Sequence, residues 1–200
     1  HSNDSGIAEQ HAQKLAREQG KIYVSPYNDS QIIAGQGTLA IELLDQLPRL
    51  DVVYVSIGGG GLISGIGSVL KAFSPKTRVV GVSAKNSAEL AASIRAGKMV
   101  KVDHQETLAD GCAGGVDNDT ITLGLGTEVI DDLIDCSEKQ IEVGLQQIAW
   151  SEKMLVEGSA GLAYAAWQED SEKNKNKISA VVLCGANFDK ETLSPIVNSQ

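Results

Sequence analysis

The chain is organised around the stretch Ser56-Ile57-Gly58-Gly59-Gly60-Gly61-Leu62-Ile63-Ser64-Gly65. Residues 51–57 form a short, apolar run rich in β-branched side chains, which is typical of a strand buried on both faces. Beyond the glycines, apolar residues recur at helical spacing as far as Phe73. A strand, four glycines and a helix in this order predict a parallel-sheet unit with a ligand site at the start of the helix.

The predicted ligand of this turn is a phosphate group. The first N–H groups of a helix have no partners within it, and the helix dipole adds positive charge at that end. Glycines allow the backbone to approach a ligand closely. The dinucleotide-binding register G-x-G-x-x-G fails because Ile63 or Ser64 stands where its last glycine should be, and no Gly-Lys-Ser/Thr of a P-loop follows. A turn whose glycines serve only close packing remains the alternative.

Composition limits the partners. The chain has 200 residues, 42% of them hydrophobic, which is enough for one ordinary domain core. A formal charge of −9 argues against nucleic acid and anionic membranes, and no apolar run approaches a membrane span. Three widely separated cysteines predict neither a disulfide framework nor a metal pair, so a cytoplasmic location is expected.

Local patterns predict further elements on both sides of the glycine stretch. Residues 51–84 are interpreted as one βαβ unit, and residues 178–183 as the last strand, which delivers Cys184 at its carboxyl end. Ser137 and Gln140 have the spacing of a capping box. The other predictions are a helix within residues 1–20 capped by Ser5 or Asp4, a strand at 21–25, a helix over 38–47 with Ile41 inward, a helix over 87–96 closed by Gly97, a strand at 133–136, a helix over 160–167 and a charged surface linker at 169–177.

Several of these motifs resemble one enzyme family. Gly-Gly-Gly-Gly-Leu-Ile-Ser-Gly at 58–65 is similar to the tetraglycine loop of the serine/threonine dehydratase and serine racemase branch of the fold-type II pyridoxal-phosphate enzymes. Residues 25–38, 108–111 and 156–161 are also similar to segments of that family. The resemblance implies an α/β fold of the tryptophan synthase β type, a three-layer αβα arrangement around a parallel sheet, present here in part.

The resemblance also implies a cofactor and the residues that bind it. The cofactor is pyridoxal 5'-phosphate, and the residues expected to hold it are Gly58, Gly59, Gly60, Gly61, Leu62 and Cys184. The glycines and Leu62 would bind the phosphate, and Cys184 would face the pyridine nitrogen. Gly111 is expected near the ring. Glu157 either joins the active-site network or is simply a favourable charge before a helix.

The implied reaction converts a β-hydroxy amino acid such as threonine or serine into a 2-oxo acid and ammonia by β-elimination. In the family, a lysine in a Ser-x-Lys-x-Arg context forms a Schiff base with the cofactor, and we interpret the lysines of this chain as lying outside that context. The chain is therefore expected to contain no catalytic residue and to be inactive alone. Residues 1–26 would be a remnant of the small domain, and 27–200 an incomplete large domain, of an enzyme that is a homodimer at full length.

Two alternative functions remain open, and no metal site is expected. An amino-acid racemase of the same family, and a non-catalytic Rossmann-like module that binds a phosphate ligand, remain open. Related enzymes that bind a divalent cation place an acidic residue where Ser83 stands here, and Glu89 could supply only one ligand. Because such a cation needs several oxygen ligands, no metal is predicted.

Overall fold

The structure, a computed structural model, describes residues 5–198. Its core is a sheet of four parallel strands in the order β3-β2-β1-β4. The elements in chain order are α1 (Ser5–Glu18), α2 (Ser30–Gln46), β1 (Val52–Ser56), α3 (Gly61–Phe73), β2 (Arg78–Ala84), α4 (Glu89–Ala96), a 3₁₀ turn (Asp110–Cys112), α5 (Thr122–Val129), β3 (Asp132–Cys136), α6 (Glu138–Gln147), a π turn (Ile148–Glu152), α7 (Gly158–Glu169), β4 (Ser179–Val181) and α8 (Lys190–Asn198).

Both faces of the sheet are covered, as the apolar strand sequences require. Alternate residues of β1 point to opposite faces: Val52 and Tyr54 join one core cluster, Val53 and Val55 the other. The first cluster includes side chains of α6, α7 and α8, and the second includes side chains of α2, α3 and α4. The predicted three-layer αβα arrangement is therefore confirmed.

The glycine stretch lies where the βαβ interpretation places it. Strand β1 ends at Ser56, α3 begins at Gly61, and β1 pairs in parallel with β2. Gly60 is the N-terminal cap of α3 and has φ +85°, a left-handed conformation that favours glycine. The turn therefore opens at the carboxyl edge of the sheet, where parallel α/β folds bind ligands.

Two local signals at helix ends are confirmed. The Ser137 hydroxyl accepts from the Gln140 backbone N–H, and the Gln140 side chain accepts from the Ser137 N–H, which completes the capping box of α6. Gly97 closes α4 with φ +67°. Of the two caps expected for α1, Asp4 lies outside the described residues and Ser5 is the first helical residue.

Several predictions near the amino-terminal end are wrong. Residues 21–25 form no strand; Ile22 there is 91% exposed, and Pro26 follows. Helix α2 begins eight residues before the predicted start at Thr38, because Asp29 caps it by accepting from the Gln31 and Ile32 N–H groups at 2.8 and 3.2 Å. Ile41, expected to point inward, is 55% exposed.

The second half of the chain departs from expectation in four places. The sequence patterns predicted neither helix α5 nor helix α8. Strand β4 has only the residues Ser179–Val181. The charged segment 169–177 is not simply a surface linker, because Asp170 and Asn174 are buried against the Tyr54 hydroxyl.

Candidate functional site

A cavity of about 460 Å³ lies at the carboxyl edge of the sheet, beside the glycine turn. Its walls are formed by the glycine turn with β1, the 3₁₀ turn with the loop after it, the start of α7, and Cys184, three positions after β4. Helix α1 and the segment before α2 also contribute residues. The lining residues are Glu9, Pro26, Tyr27, Ser56, Gly58, Gly59, Gly60, Gly61, Leu62, Asp110, Gly111, Cys112, Ala113, Gly114, Gly115, Glu157, Ser159 and Cys184. All six residues expected to bind the cofactor therefore lie on one cavity, together with Gly111 and Glu157.

The glycine turn offers hydrogen-bond donors without competing acceptors. Gly60 has no side chain to cap α3, and the N–H groups of Gly60, Gly61 and Leu62 have no acceptor within residues 5–198. The first internal bond of the helix runs from the Ser64 N–H to the Gly60 carbonyl at 3.0 Å. An anion is the group best suited to these free donors, because they stand at the positive end of the helix dipole.

Close packing also requires the glycines. A Cβ on Gly59 would lie 2.3 Å from Cγ of Tyr27, and one on Gly61 would lie 2.9 Å from Cα of the same residue. A Cβ on Gly60 would lie 2.3 Å from Cδ2 of Leu90, which is almost fully buried. The packing alternative therefore has its own support, and it is compatible with phosphate binding, since the turn packs on one side while its N–H groups remain free.

Cys184 and Glu157 form another wall of the cavity. Burial raises the pKa of the Cys184 thiol, although the Ser56 hydroxyl beside it lowers that pKa in part, so the thiol stays neutral at physiological pH. The Glu157 carboxylate accepts from the Asn187 N–H at 2.8 Å, and the Glu157 N–H donates to the Gly185 carbonyl at 3.2 Å. Glu157 is thereby tied to the chain that leaves β4.

The 3₁₀ turn closes the third side. A Cβ on Gly111 would lie 2.9 Å from Oε1 of Glu157 and 3.0 Å from Oγ of Ser159, so this position has no space for a side chain. Cys112 follows, and burial raises the pKa of its thiol to about 12. The cavity thus holds two protonated thiols, neither of which has the lowered pKa of a nucleophilic cysteine.

One interpretation of the lysines is wrong. Ser74-Pro75-Lys76-Thr77-Arg78 does have the order Ser-x-Lys-x-Arg. It forms the turn between α3 and β2, however, and ends at the first residue of β2, whereas the cavity lies at the carboxyl edge of the sheet. Lys76 is exposed there, and no lysine of residues 5–198 lines the cavity.

The acid considered for a cation has other partners. Glu89 is buried at the start of α4, where its carboxylate accepts from Lys101 at 2.9 Å and from the Val116 N–H at 2.9 Å. His104 Nε2 lies 3.1 Å from its other oxygen. Ser83 is buried in β2. Within the described part of the chain, no group of three or more His, Cys, Asp or Glu side chains could hold a metal ion.

Residues that sequence patterns did not indicate complete the site. Tyr27 lies on the turn at Gly59 and accepts from the Asp117 N–H at 2.9 Å through its hydroxyl. The Ser56 hydroxyl donates to the Ser159 carbonyl at 2.5 Å and joins β1 to α7. Thr122 donates to the Gly59 carbonyl at 2.7 Å. These contacts join residues far apart in sequence, so no local motif signals them.

The donor set fits pyridoxal phosphate. Free N–H groups at a helix start suit its phosphate, and the neutral Cys184 thiol is a weak donor for a pyridine nitrogen. Gly111 and the glycine turn leave backbone rather than side chains on two walls.

None of the helices described in residues 5–198 has the length and apolar character needed to cross a bilayer.

Comparison with known proteins agrees with this fit. Residues 2–185 match the profile of the family described as pyridoxal-phosphate dependent enzyme. The chain is 33% identical to an L-threonine ammonia-lyase of Thermotoga maritima, over 94% of this chain and 46% of the relative. It is 33% identical to a serine racemase of Arabidopsis thaliana, over 92% of this chain and 57% of the relative.

A solved structure extends the likeness to the fold. The processed form of threonine deaminase isoform 2 from Solanum lycopersicum superposes with a TM-score of 0.86 at 29% identity, covering 94% of this chain and 55% of that one. This chain spans about half the length of the relatives that it matches.

Proposed function

Because this chain belongs to the family of pyridoxal-phosphate dependent enzymes, we propose that it forms the cofactor-binding part of an ammonia-lyase. The proposed reaction removes the hydroxyl and amino groups of a β-hydroxy amino acid such as threonine or serine, giving a 2-oxo acid and ammonia. One observation carries the proposal: the free N–H groups of the glycine turn and the Cys184 thiol line the same cavity.

Each wall has a proposed task. The N–H groups of Gly60, Gly61 and Leu62 bind the phosphate. The neutral Cys184 thiol donates to the ring nitrogen, and Gly111 allows the ring to lie against the backbone. Glu157, fixed by the Asn187 N–H, orients this wall. The cofactor, when bound, supplies an electron sink for the bonds broken at the α-carbon of the amino acid.

The neutral partner favours elimination as the reaction. A carboxylate beside the ring nitrogen would keep that nitrogen protonated and make the ring the strongest electron sink. The Cys184 thiol cannot do so, because burial holds it neutral. β-Elimination suits this milder sink, since the departing hydroxyl group takes up the electrons. The racemase hypothesis is kept as an outcome of the test, because a serine racemase is among the relatives.

The lysine and the substrate-binding groups are proposed to come from sequence outside this chain, since no lysine of the described residues lines the cavity. This chain alone is then inactive. The division at residue 26, the homodimer and the cytoplasmic location stay predictions.

Binding of the cofactor is tested with pyridoxamine 5'-phosphate and pyridoxamine, which lack an aldehyde and so do not react with surface lysines. The chain is expected to bind the phosphorylated compound at least tenfold more tightly. Gly60→Asp is expected to abolish that preference, because a Cβ there would lie 2.3 Å from Cδ2 of Leu90 and 3.1 Å from Cβ of Thr122, so the turn must shift and its N–H groups lose their arrangement. Gly97→Asp is the matched control, since Gly97 also has a left-handed φ but a Cβ added there would have no heavy atom within 4 Å.

Equal affinity of the wild-type chain for both compounds would refute the phosphate site and favour the close-packing explanation. The reaction is tested on the gene product that contains this chain, supplied with L-threonine or L-serine. Release of a 2-oxo acid supports the ammonia-lyase, formation of D-serine without it supports a racemase, and cofactor binding without either reaction supports a non-catalytic module.

A further inference from the structure

We infer that Thr122 is a positioning residue of the phosphate site: its hydroxyl holds the Gly59–Gly60 peptide so that the Gly60 N–H faces the cavity. The inference rests on the proposed function, because it concerns the donors that would bind the phosphate. Thr122 is the first residue of α5, 63 positions from the carbonyl that it contacts, and it does not line the cavity. Its role is therefore indirect.

The contact is short, and its donor residue is buried. Thr122 Oγ1 donates to the Gly59 carbonyl at 2.7 Å, and Thr122 is fully buried. The hydroxyl oxygen also lies 3.3 Å from the position that a Cβ on Gly60 would take, which places it directly behind the turn. Gly59 and Gly60 both line the cavity in front. The threonine thus supports the turn from the side opposite the ligand.

Peptide geometry converts this support into donor orientation. No peptide bond of the described residues is cis, and in a planar trans peptide the C=O and N–H groups point in opposite directions. Fixing the Gly59 carbonyl towards Thr122 therefore directs the Gly60 N–H away from it, towards the cavity. That N–H has no acceptor within residues 5–198.

A second threonine fixes the direction of the hydroxyl proton. Thr120 Oγ1 lies 2.7 Å from Thr122 Oγ1. Because the Thr122 proton is used on the Gly59 carbonyl, Thr120 must be the donor in this contact. The Thr122 N–H in turn donates to Thr120 Oγ1 at 3.3 Å. The pair has one consistent hydrogen-bond direction, ending at the glycine turn.

Orientation matters because the turn is intrinsically adaptable. Glycine populates positive and negative φ about equally, so a peptide between two glycines can rotate at little cost. A rotated Gly59–Gly60 peptide would present a carbonyl oxygen to a bound phosphate in place of an N–H. Thr122 stabilises the donor orientation against this alternative, before any ligand arrives.

The test compares Thr122→Val, which keeps the branched shape and removes the hydroxyl, with Thr122→Ser, which keeps the hydroxyl. Loss of one buried hydrogen bond corresponds to about three- to tenfold in affinity. Thr122→Val is expected to lower the affinity for pyridoxamine 5'-phosphate by that factor and to leave the affinity for pyridoxamine within about twofold of the wild-type value. Thr122→Ser is expected to keep the preference for the phosphorylated compound. Thr127→Val is the matched control, since its exposed hydroxyl bonds only to the Leu123 carbonyl of the same helix.

The outcomes separate the two proposals. A wild-type chain without preference for the phosphorylated compound refutes the proposed phosphate site itself. A wild-type preference that Thr122→Val retains in full overturns the role of Thr122 alone. If Thr122→Val does not fold, the wild-type ¹⁵N spectrum decides: the Gly60 amide must shift on titration with inorganic phosphate, and an unresponsive Gly60 amide overturns the inference.

Discussion

Replacing Gly60 with alanine is expected to lower the free energy of unfolding by about 2–3 kcal/mol. A non-glycine residue at φ +85° costs about 1–2 kcal/mol. The added Cβ would also lie 2.3 Å from Cδ2 of Leu90 and 3.1 Å from Cβ of Thr122. Leu90 is almost fully buried, so its terminal methyl must change its position within a well-packed core, at a further cost of about 1 kcal/mol.

Two other glycines separate the backbone cost from the packing cost. Gly97 has φ +67°, and a Cβ added there would have no heavy atom within 4 Å. Gly97→Ala should therefore lower the free energy of unfolding only by the cost of the left-handed backbone conformation, about 1–2 kcal/mol. Gly35 lies within α2 in open space, and Gly35→Ala should be neutral or stabilising by up to about 1 kcal/mol.

Urea unfolding of the wild-type chain and the three variants, followed by circular dichroism, measures these differences. The expected order of stability is Gly35→Ala, wild type, Gly97→Ala and Gly60→Ala, from highest to lowest. If Gly60→Ala unfolds at the same urea concentration as Gly97→Ala or a higher one, Leu90 and Thr122 do not pack against the turn as the structure places them, and the reasoning fails.

Two further predictions concern buried polar groups. Tyr54→Phe removes a hydroxyl that donates to Asp170 at 3.0 Å and accepts from Asn174 at 2.8 Å, and should lower the free energy of unfolding by about 1–3 kcal/mol in urea; an unchanged midpoint would contradict a buried network. Burial raises the pKa of Glu89, but hydrogen bonds from the Val116 N–H, Lys101 and His104 outweigh it and hold that pKa below 4.5. A lowered folded-state pKa contributes stability above the unfolded value that is lost as pH falls through the folded one. Melting temperatures from pH 7 to pH 3 should therefore fall less steeply below about pH 4.5 for Glu89→Gln than for the wild type, and parallel curves would show that the carboxylate charge contributes nothing.

The sequence by itself determined the features that depend on near neighbours in the chain. The strand before Gly58, the helix beginning at Gly61 and the capping box of Ser137 and Gln140 all follow from periodicity or from hydrogen bonds that span a few residues. The resemblance carried by the four glycines then indicated the family, which the comparisons support. The last strand predicted from the sequence placed Cys184 at the carboxyl edge of the sheet, and Cys184 lies on the cavity there; its contact with the cofactor stays a prediction.

Features set by distant partners escaped local patterns. Residues 21–25 have strand-like composition, but they pair with no strand described in residues 5–198 and are irregular. Asp170 belongs to a segment predicted to be a charged surface linker, yet it is buried and accepts a hydrogen bond from the Tyr54 hydroxyl, 116 positions away. The order Ser-x-Lys-x-Arg at 74–78 is present, but its place at the amino end of β2 removes it from the cavity.

The same distinction between local sequence and tertiary contacts applies to the candidate site. Sequence determined that a donor-rich turn exists, because free N–H groups at a helix start are a property of local backbone. The resemblance had associated Cys184 and Gly111 with the cofactor, but only the tertiary structure shows that they and Glu157 line one cavity with this turn, and that Thr122 donates to the Gly59 carbonyl. Those relations depend on the order of strands in the sheet and on how its connections return, which no short stretch of sequence encodes.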